Sequence, residues 1–244
     1  MNPIVVIPAR LASTRLPDKP LADIAGQTMI ERVWRQAMKA RSGPVLVAAA
    51  EQKIVDVIVR AGGQAVLTDP ALPSGTDRVF AALESVDRAG AHDVVINLQG
   101  DLPALDPAAI IAVAQILATT DCDIATLAAE IDVQGDFDNP NVVKPVVAWG
   151  KDGQTGRALY FTRARAPAGE GPLFHHIGIY AFRRAALARF VRLPPSPLER
   201  REKLEQLRAL EAGMSIGVAR VDAVPLSVDT PADLEKARAL LARA

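Results

Sequence analysis

Residues 4–20 read IVVIPARLASTRLPDKP, and the fold follows from how this stretch is parsed. Ile4, Val5, Val6 and Ile7 form a short β-branched apolar run stopped by Pro8, the pattern of a buried strand. Arg10, Arg15 and Lys19 then fall within ten residues, opposed only by Asp18. The helix that follows is expected to start at Thr28, whose hydroxyl can cap free amides while Glu31 completes a capping box. Strand, cationic loop and helix together make a holder for phosphates: Arg offers planar forks to phosphate oxygens, and Lys a point charge on a long stem. A solvated surface loop is the bland alternative. Neither a P-loop nor a G-x-G-x-x-G fingerprint occurs.

Working outward, the same alternation continues. An apolar run at 45–50 follows Ser42-Gly43-Pro44, residues 51–61 have near-helical apolar spacing, and Gly62-Gly63 precedes a third strand at 64–68. This βαβαβ order predicts a parallel sheet covered on both faces, with ligands at the carboxyl ends of its strands. A helix is expected from Asp77 to Ala89 with Thr76 as its cap, and Gly75 would let backbone approach a ligand closely. Residues 93–98, DVVINL, read as a buried strand that delivers Gln99, Gly100 and Asp101 to the ligand edge. A carboxylate is expected there if the ligand brings Mg2+. A helix from Asp106 to Thr120 and a strand from Asp123 to Ile131 follow. The acids of 136–141 do not fit an EF-hand and read as turn chemistry.

Composition bounds the partners. The 244 residues are 50% hydrophobic and 23% charged, with 28 acids balancing 28 Lys and Arg. That neutrality argues against bulk binding to nucleic acid or anionic lipid, so the basic loop stands out as a local anion site. The single cysteine, Cys122, excludes an internal disulfide and a cysteine-built structural zinc site. No secretory signal is visible, and the longest mostly apolar stretch, 107–118, is too short to span a bilayer. The expectation is a soluble cytoplasmic protein that does not engage the membrane.

From Val142 the character changes. Strands at 142–149 and 157–161 flank Lys151-Asp152-Gly153, a hairpin turn. His175 and His176 are adjacent in a strand and point to opposite faces, so they cannot share one metal. A charged helix is expected from Glu199 to Ala212, with Glu199–Lys203 pairing at i,i+4. Asp229, before Thr230-Pro231, reads as the N-cap of the last helix.

PAR-x-x-STRLP-x-KP at 8–20 resembles the opening of the sugar-activating cytidylyltransferases, most closely the 3-deoxy-manno-octulosonate cytidylyltransferase family. Further matches are SGTDR at 74–78, QGDLP at 99–103, ALYFTRARAP at 158–167, HIGIY at 176–180, LEQLR at 204–208 and VDTP at 228–231. The family usually carries a glutamate where this chain has Leu102.

The resemblance implies a three-layer, Rossmann-like α/β nucleotidyltransferase: one domain over 1–244, mostly parallel, with a smaller antiparallel substrate-binding and dimerisation region at 142–225. It implies CTP binding by Pro8, Ala9, Arg10, Arg15, Lys19, Ser74, Gly75 and Gln99, with Lys19, Asp101 and Arg10 in the chemistry. It implies sugar contacts from Arg78, Gln99, Arg163, His176, Tyr180, Glu205 and Gln206, and Mg2+ on Asp101 and Asp229. The expected reaction is CTP plus 3-deoxy-manno-octulosonate giving the CMP-sugar and pyrophosphate, for lipopolysaccharide synthesis, in a homodimer. The rivals are another acidic sugar, such as an 8-amino analogue or a sialic acid, and nucleotide binding without turnover.

Overall fold

A computed structural model describes residues 1–13 and 15–242 of the chain. The chain forms two compact units: Met1–Ile111 joined by Pro225–Ala244, and Ala112–Val224 between them.

The first unit opens with β1 (Pro3–Ala9), a two-residue hairpin of β2 (Asp23–Ile24) and β3 (Gln27–Thr28), and α1 (Met29–Ala40). It continues through β4 (Val45–Ala49), α2 (Gln52–Arg60), β5 (Gln64–Leu67), α3 (Gly75–Val86), β6 (Val94–Asn97) and the start of α4 (Pro107–Thr119). These strands lie parallel in the order β5-β4-β1-β6. β1, β4 and β6 are buried along nearly their whole length, which explains their unbroken apolar runs. Two crossovers step from β1 to β4 to β5, and the third doubles back past β1 to β6. Because such crossovers are right-handed, that reversal puts α3 on the face opposite α1 and α2. The crevice where strand order reverses, beyond the carboxyl ends of β1 and β6, is where ligands bind in such sheets.

The second unit holds β7 (Ile124–Glu130), β8 (Lys144–Trp149), β9 (Thr155–Thr162), β10 (Phe174–Arg183), α5 (Arg184–Phe190), α6 (Pro197–Glu202), α7 (Leu207–Glu211) and β11 (Ile216–Val221). Its strands run β10-β7-β11-β9-β8, parallel only between β7 and β11. Gly153 turns the β8–β9 hairpin with φ +64, as its sequence suggests. The chain then returns to the first unit with α8 (Pro231–Leu241), seated on a cluster of Ile24, Met29, Val228, Leu234 and Ala237. No helix among the described residues is long and apolar enough to cross a membrane.

Four local expectations need correction. The cap of α3 is Ser74, which accepts from the Asp77 amide; Thr76 is buried and meets Asn97 instead. At α1, Thr28 does accept the Glu31 amide, but the Glu31 carboxylate turns to Arg35. The single charged helix expected at 199–212 is two short helices. Lys203, in the left-handed region at φ +57, stops α6, and Glu199 pairs with Arg208 at 2.5 Å rather than with Lys203. Finally, the cap of α8 is Thr230, in a full capping box with Asp233, which leaves the Asp229 side chain for other work.

Candidate active site

The sequence places Lys19 in a loop, and the structure places it at the start of a 3-10 turn, Lys19–Leu21, after Asp18 in the left-handed region. That turn aims the side chain inward. Its Nζ donates to Asp101 Oδ2 at 2.9 Å and to Asp229 Oδ1 at 3.1 Å. Arg15 adds a second cation on Asp229 Oδ1 at 3.2 Å. Two carboxylates, 82 and 210 positions further along the chain, therefore converge on one ammonium.

Each carboxylate is delivered by a different element. Asp101 follows β6 through Gln99 and Gly100, and at Gly100 the backbone runs so close to β1 that a Cβ would sit 3.0 Å from the Pro8 carbonyl oxygen. Asp229 arrives with α8, tied on by the Val228 amide donating to the Asp101 carbonyl at 2.9 Å. Leu102, at the position where a glutamate was expected, is 5% exposed and joins the core.

Burial alone would lower the Lys19 pKa; the two carboxylates, Asp101 foremost, outweigh it and hold the ammonium above the ordinary lysine value. The Lys19 side chain is 17% exposed and those of Asp101 and Asp229 are 26% and 42%. A cation is thus enclosed beneath carboxylates that remain open to water and to ligand.

Beside this triad lies a cleft of about 250 Å³ lined by Pro8, Ala9, Arg10, Ser74, Gly75, Arg78, Gln99 and Asp101. Every one of these was named from sequence. Arg78 is buried, with Nη1 donating to Thr68 Oγ1 at 2.6 Å and to the Asp69 carbonyl at 3.0 Å. Gln99 is held by its Nε2 donating to Asn97 Oδ1 at 3.2 Å. The Ser74 hydroxyl is engaged by Asp77, at 2.7 Å from its Oδ2, while capping α3. Glu51 fixes the basic loop by accepting the Leu11 amide at 2.9 Å.

Glu51, Thr68 and Asn97 were missed by the sequence reading. Only Asn97 carried a signal, a polar residue inside the apolar run DVVINL.

The remaining sugar candidates form a group in the second unit. The rings of His176 and Tyr180 lie 5.5 Å apart across an irregularity in β10. His176 Nε2 is 3.0 Å from Thr126 Oγ1. That hydroxyl has one proton to give, and the Ile179 and Ile177 carbonyls lie at 2.8 and 3.1 Å. With that proton given to a carbonyl, Nε2 is the donor to the hydroxyl oxygen. Enclosure in the protein, with a small contribution from His175, pulls the His176 pKa down to about 3. Burial, and then the charge of Glu205, pushes the Tyr180 hydroxyl well above its usual value. Gln206 is buried next to Glu205 at the start of α7. His175 faces Asp136 and Lys144 instead. Arg163 is engaged elsewhere, with Nε donating to the Glu202 carbonyl at 2.8 Å and Nη1 to the Pro140 carbonyl at 2.9 Å.

The arrangement in the first unit can neutralise a polyphosphate at a sheet's switch point and present two carboxylates to a cation there. Comparison with known proteins agrees. Residues 4–216 match the family model described as cytidylyltransferase. The chain is 66% identical over 242 residues to the 3-deoxy-manno-octulosonate cytidylyltransferase of Parvibaculum lavamentivorans, covering 99% of this chain and 93% of that protein. It is 65% identical over 240 residues to the protein of the same name from Rhodospirillum centenum, covering 98% and 93%. Its fold is similar to a solved structure of CMP:2-keto-3-deoxy-manno-octonic acid synthetase complexed with CTP, at TM-score 0.91 and 37% identity, covering 100% of this chain and 99% of that one. A 4-diphosphocytidyl-2C-methyl-D-erythritol synthase from Anaerococcus prevotii, 12% identical with TM-score 0.65 over 98% of both chains, shares the fold alone.

Proposed function

Because this chain belongs to the 3-deoxy-manno-octulosonate cytidylyltransferase family, we propose that it joins CTP to 3-deoxy-manno-octulosonate, forming the CMP-sugar and releasing pyrophosphate. The product is the activated sugar used for lipopolysaccharide. The observation that carries the reading is the convergence of Lys19, Asp101 and Asp229 beside a cleft lined by Arg10, Arg78 and Gln99.

In this reaction the anomeric oxygen forms a bond to the α-phosphorus as the bond to the β-phosphate oxygen breaks, and the hydroxyl proton passes to solvent. No side chain of the site is assigned as its base. Arg10, Arg15 and Lys19 surround the triphosphate and neutralise charge that builds on the departing pyrophosphate. Lys19 leaves the two aspartates to do so. Gln99, fixed through its amide nitrogen by Asn97, turns its carbonyl oxygen to accept from a ligand. Gly75 leaves the cleft floor open, since a Cβ there would meet Pro8 at 3.4 Å. His176, Tyr180, Glu205 and Gln206 are assigned to the sugar.

Asp101 and Asp229 suit a divalent cation. Their oxygens already share one positive centre, are hard donors, and remain open enough for water and phosphate to complete a shell. No cluster of three or more His, Cys, Asp or Glu suited to a metal occurs among the described residues, which favours a cation completed by substrate oxygens, Mg2+ above all. When bound, it supplies charge neutralisation and Lewis acidity at phosphate oxygens. Assembly as a homodimer in the cytoplasm belongs to the same proposal, supported by the family resemblance and tested by sedimentation.

The deciding assay is pyrophosphate release from CTP and Mg2+ with a panel of keto-acid sugars. Turnover is expected with 3-deoxy-manno-octulosonate well above that with sialic acids or the 8-amino analogue. Preference for either of those moves the assignment to a neighbouring acceptor, and no turnover with any leaves a nucleotide-binding protein.

A further inference from the structure

Every contact described for the Arg163 guanidinium leads to a backbone carbonyl. Its Nε donates to the Glu202 carbonyl at 2.8 Å, Nη2 reaches the Lys203 carbonyl at 3.5 Å, and Nη1 donates to the Pro140 carbonyl at 2.9 Å. Its own amide donates to Glu202 Oε2 at 3.0 Å, and Thr162 Oγ1 donates to Glu202 Oε1 at 2.9 Å. Strand β9 and helix α6 therefore exchange bonds in both directions, side chain to backbone each way.

Glu202 and Lys203 are the last residue and the cap of α6, whose final carbonyls have no partner within the helix. A guanidinium there satisfies those acceptors and faces the negative end of the helix dipole. The Arg163 carbonyl in turn accepts from Lys144 Nζ at 3.3 Å, and that fully buried ammonium also donates to the Asn139 carbonyl at 2.6 Å. Two cations thus pin three segments together: the 139–140 loop, the end of β9 and the end of α6.

At the end of α6 the chain reverses toward two of the sugar candidates. Lys203 takes the left-handed conformation at φ +57, and the Leu204 amide folds back to the Glu199 carbonyl at 3.2 Å. Glu205 and Gln206 come next and open α7. A backbone reversal made by a non-glycine residue stores strain that its surroundings must hold. Here those surroundings include Arg163, with Nη2 at 3.5 Å from the Lys203 carbonyl and Nε on the carbonyl of Glu202 just before it.

We propose that Arg163 is a positioning residue for the sugar subsite: it fixes the Lys203 reversal, and through it the placement of Glu205 and Gln206, without itself touching the sugar acid. The proposal rests on the assignment of those two residues to the sugar. A lysine does not reproduce Arg163, whose rigid planar fork reaches the carbonyls of Glu202, Pro140 and Lys203 at once, whereas an ammonium on a flexible stem has no such fixed geometry.

Two measurements test it. In the protein alone, Arg163→Met and Arg163→Lys should each speed amide hydrogen exchange across 203–208 at least tenfold, while exchange in β1 and β6 stays unchanged. Unchanged exchange at 203–208 overturns the proposal whatever the substrate. In turnover, both variants should raise the KM for the sugar acid about tenfold, with the KM for CTP and kcat at saturating sugar within twofold, because misplacement of a contact is felt by the ligand it serves. Combined with Glu205→Gln, the Arg163→Met loss should shrink, since both changes act on one contact. Full multiplication of the two losses marks Arg163 as an independent sugar contact and refutes the positioning role. If wild type turns over none of the sugars, the assigned function fails, and the exchange data still decide whether Arg163 holds the reversal.

Discussion

Replacing Lys19 with alanine removes the one group that joins all three parts of the site. In the ligand-free protein its ammonium holds Asp101 at 2.9 Å and Asp229 at 3.1 Å. Hydrogen bonds to charged groups contribute about 1.5–3 kcal/mol each. Both carboxylates are open enough to be rehydrated when released, Asp229 the more so at 42% exposure, which cuts the net loss to about 1–2 kcal/mol. For a chain of this size that is a fall in Tm of about 2–8 °C. The pH sign comes from the raised pKa. The unfolded lysine titrates at 10.5, so the stabilisation is complete below that pH and is lost as pH rises through the higher folded value. The Tm gap between wild type and Lys19→Ala should therefore be level through neutrality and close only in strong alkali.

Kinetically, the same side chain should act in the transition state, where charge moves onto the departing pyrophosphate. Losing one well-placed donor costs about 10²–10³ in rate, so kcat should fall together with kcat/KM. Steady-state rates over a range of CTP and differential scanning fluorimetry without ligand read the two effects separately. An unchanged kcat with a raised KM would make Lys19 a docking residue only. An unchanged Tm would refute the bridge itself. Mg2+ added without nucleotide should raise the Tm of Lys19→Ala more than that of wild type, because the variant leaves the two carboxylates without their internal cation.

The structure separates Asp229 from the capping role beside it. Asp229→Asn should lower kcat at saturating Mg2+ with little change in Tm, whereas Thr230→Ala should cost about 1 kcal/mol of stability and leave kcat near normal; the reverse pattern would restore Asp229 as the cap. His176 has a folded pKa near 3 against 6.5 unfolded. The unfolded state thus binds the extra proton between those values, and stability falls as pH drops from about 6.5 toward 3, by at most about 5 kcal/mol. Chemical denaturation of wild type and His176→Asn across that range should show the variant losing less; parallel curves would mean the ring titrates normally.

Local patterns were legible where the backbone alone decides them. The β-branched run at 4–7 and the Gly62-Gly63 break specified the parallel strands and helices of the first unit, although β1 is not stopped by Pro8 as expected and stays paired with β4 through Ala9. The dense matches at 8–20, 74–78 and 99–103 named the whole lining of the cleft. What the sequence could not supply was competition among neighbours for one partner. Ser74 and Thr76 are equally good caps in isolation, and Thr76 is drawn into the core by Asn97. Thr230 takes the cap from Asp229 because Asp233 stands three residues on to complete the box. Helical charge spacing suggested Glu199–Lys203, yet Arg208 offers a fork that bonds both oxygens of Glu199, at 2.8 and 2.5 Å. Each miss is a case where a local preference was real and another partner, near in sequence for Asp233 and more distant for Asn97 and Arg208, prevailed.

The placement of Asp229 shows why the chain needs its last segment. β1 and β6 lead to Lys19 and Asp101, and the second carboxylate that Lys19 reaches comes from the C-terminal segment, which rejoins the first unit at Pro225. Val228 is 0% exposed in the cluster with Ile24, Met29 and Leu234, and its amide donates to the carbonyl of Asp101. Hydrophobic burial of one residue thus sets the register of the next, and the capping box at Thr230 sets the direction of the helix beyond it. Asp229 lies between these two anchors with its side chain unused by either. The ammonium of Lys19 then neutralises the pair in the ligand-free state, when two carboxylates would otherwise repel each other. In the proposed reaction a triphosphate would offer Lys19 phosphate oxygens and leave the aspartates to an accompanying cation. Those two roles would call for a lysine set beneath the carboxylates, and Lys19, alone among the basic trio, lies there at 17% exposure while Arg10 and Arg15 are exposed.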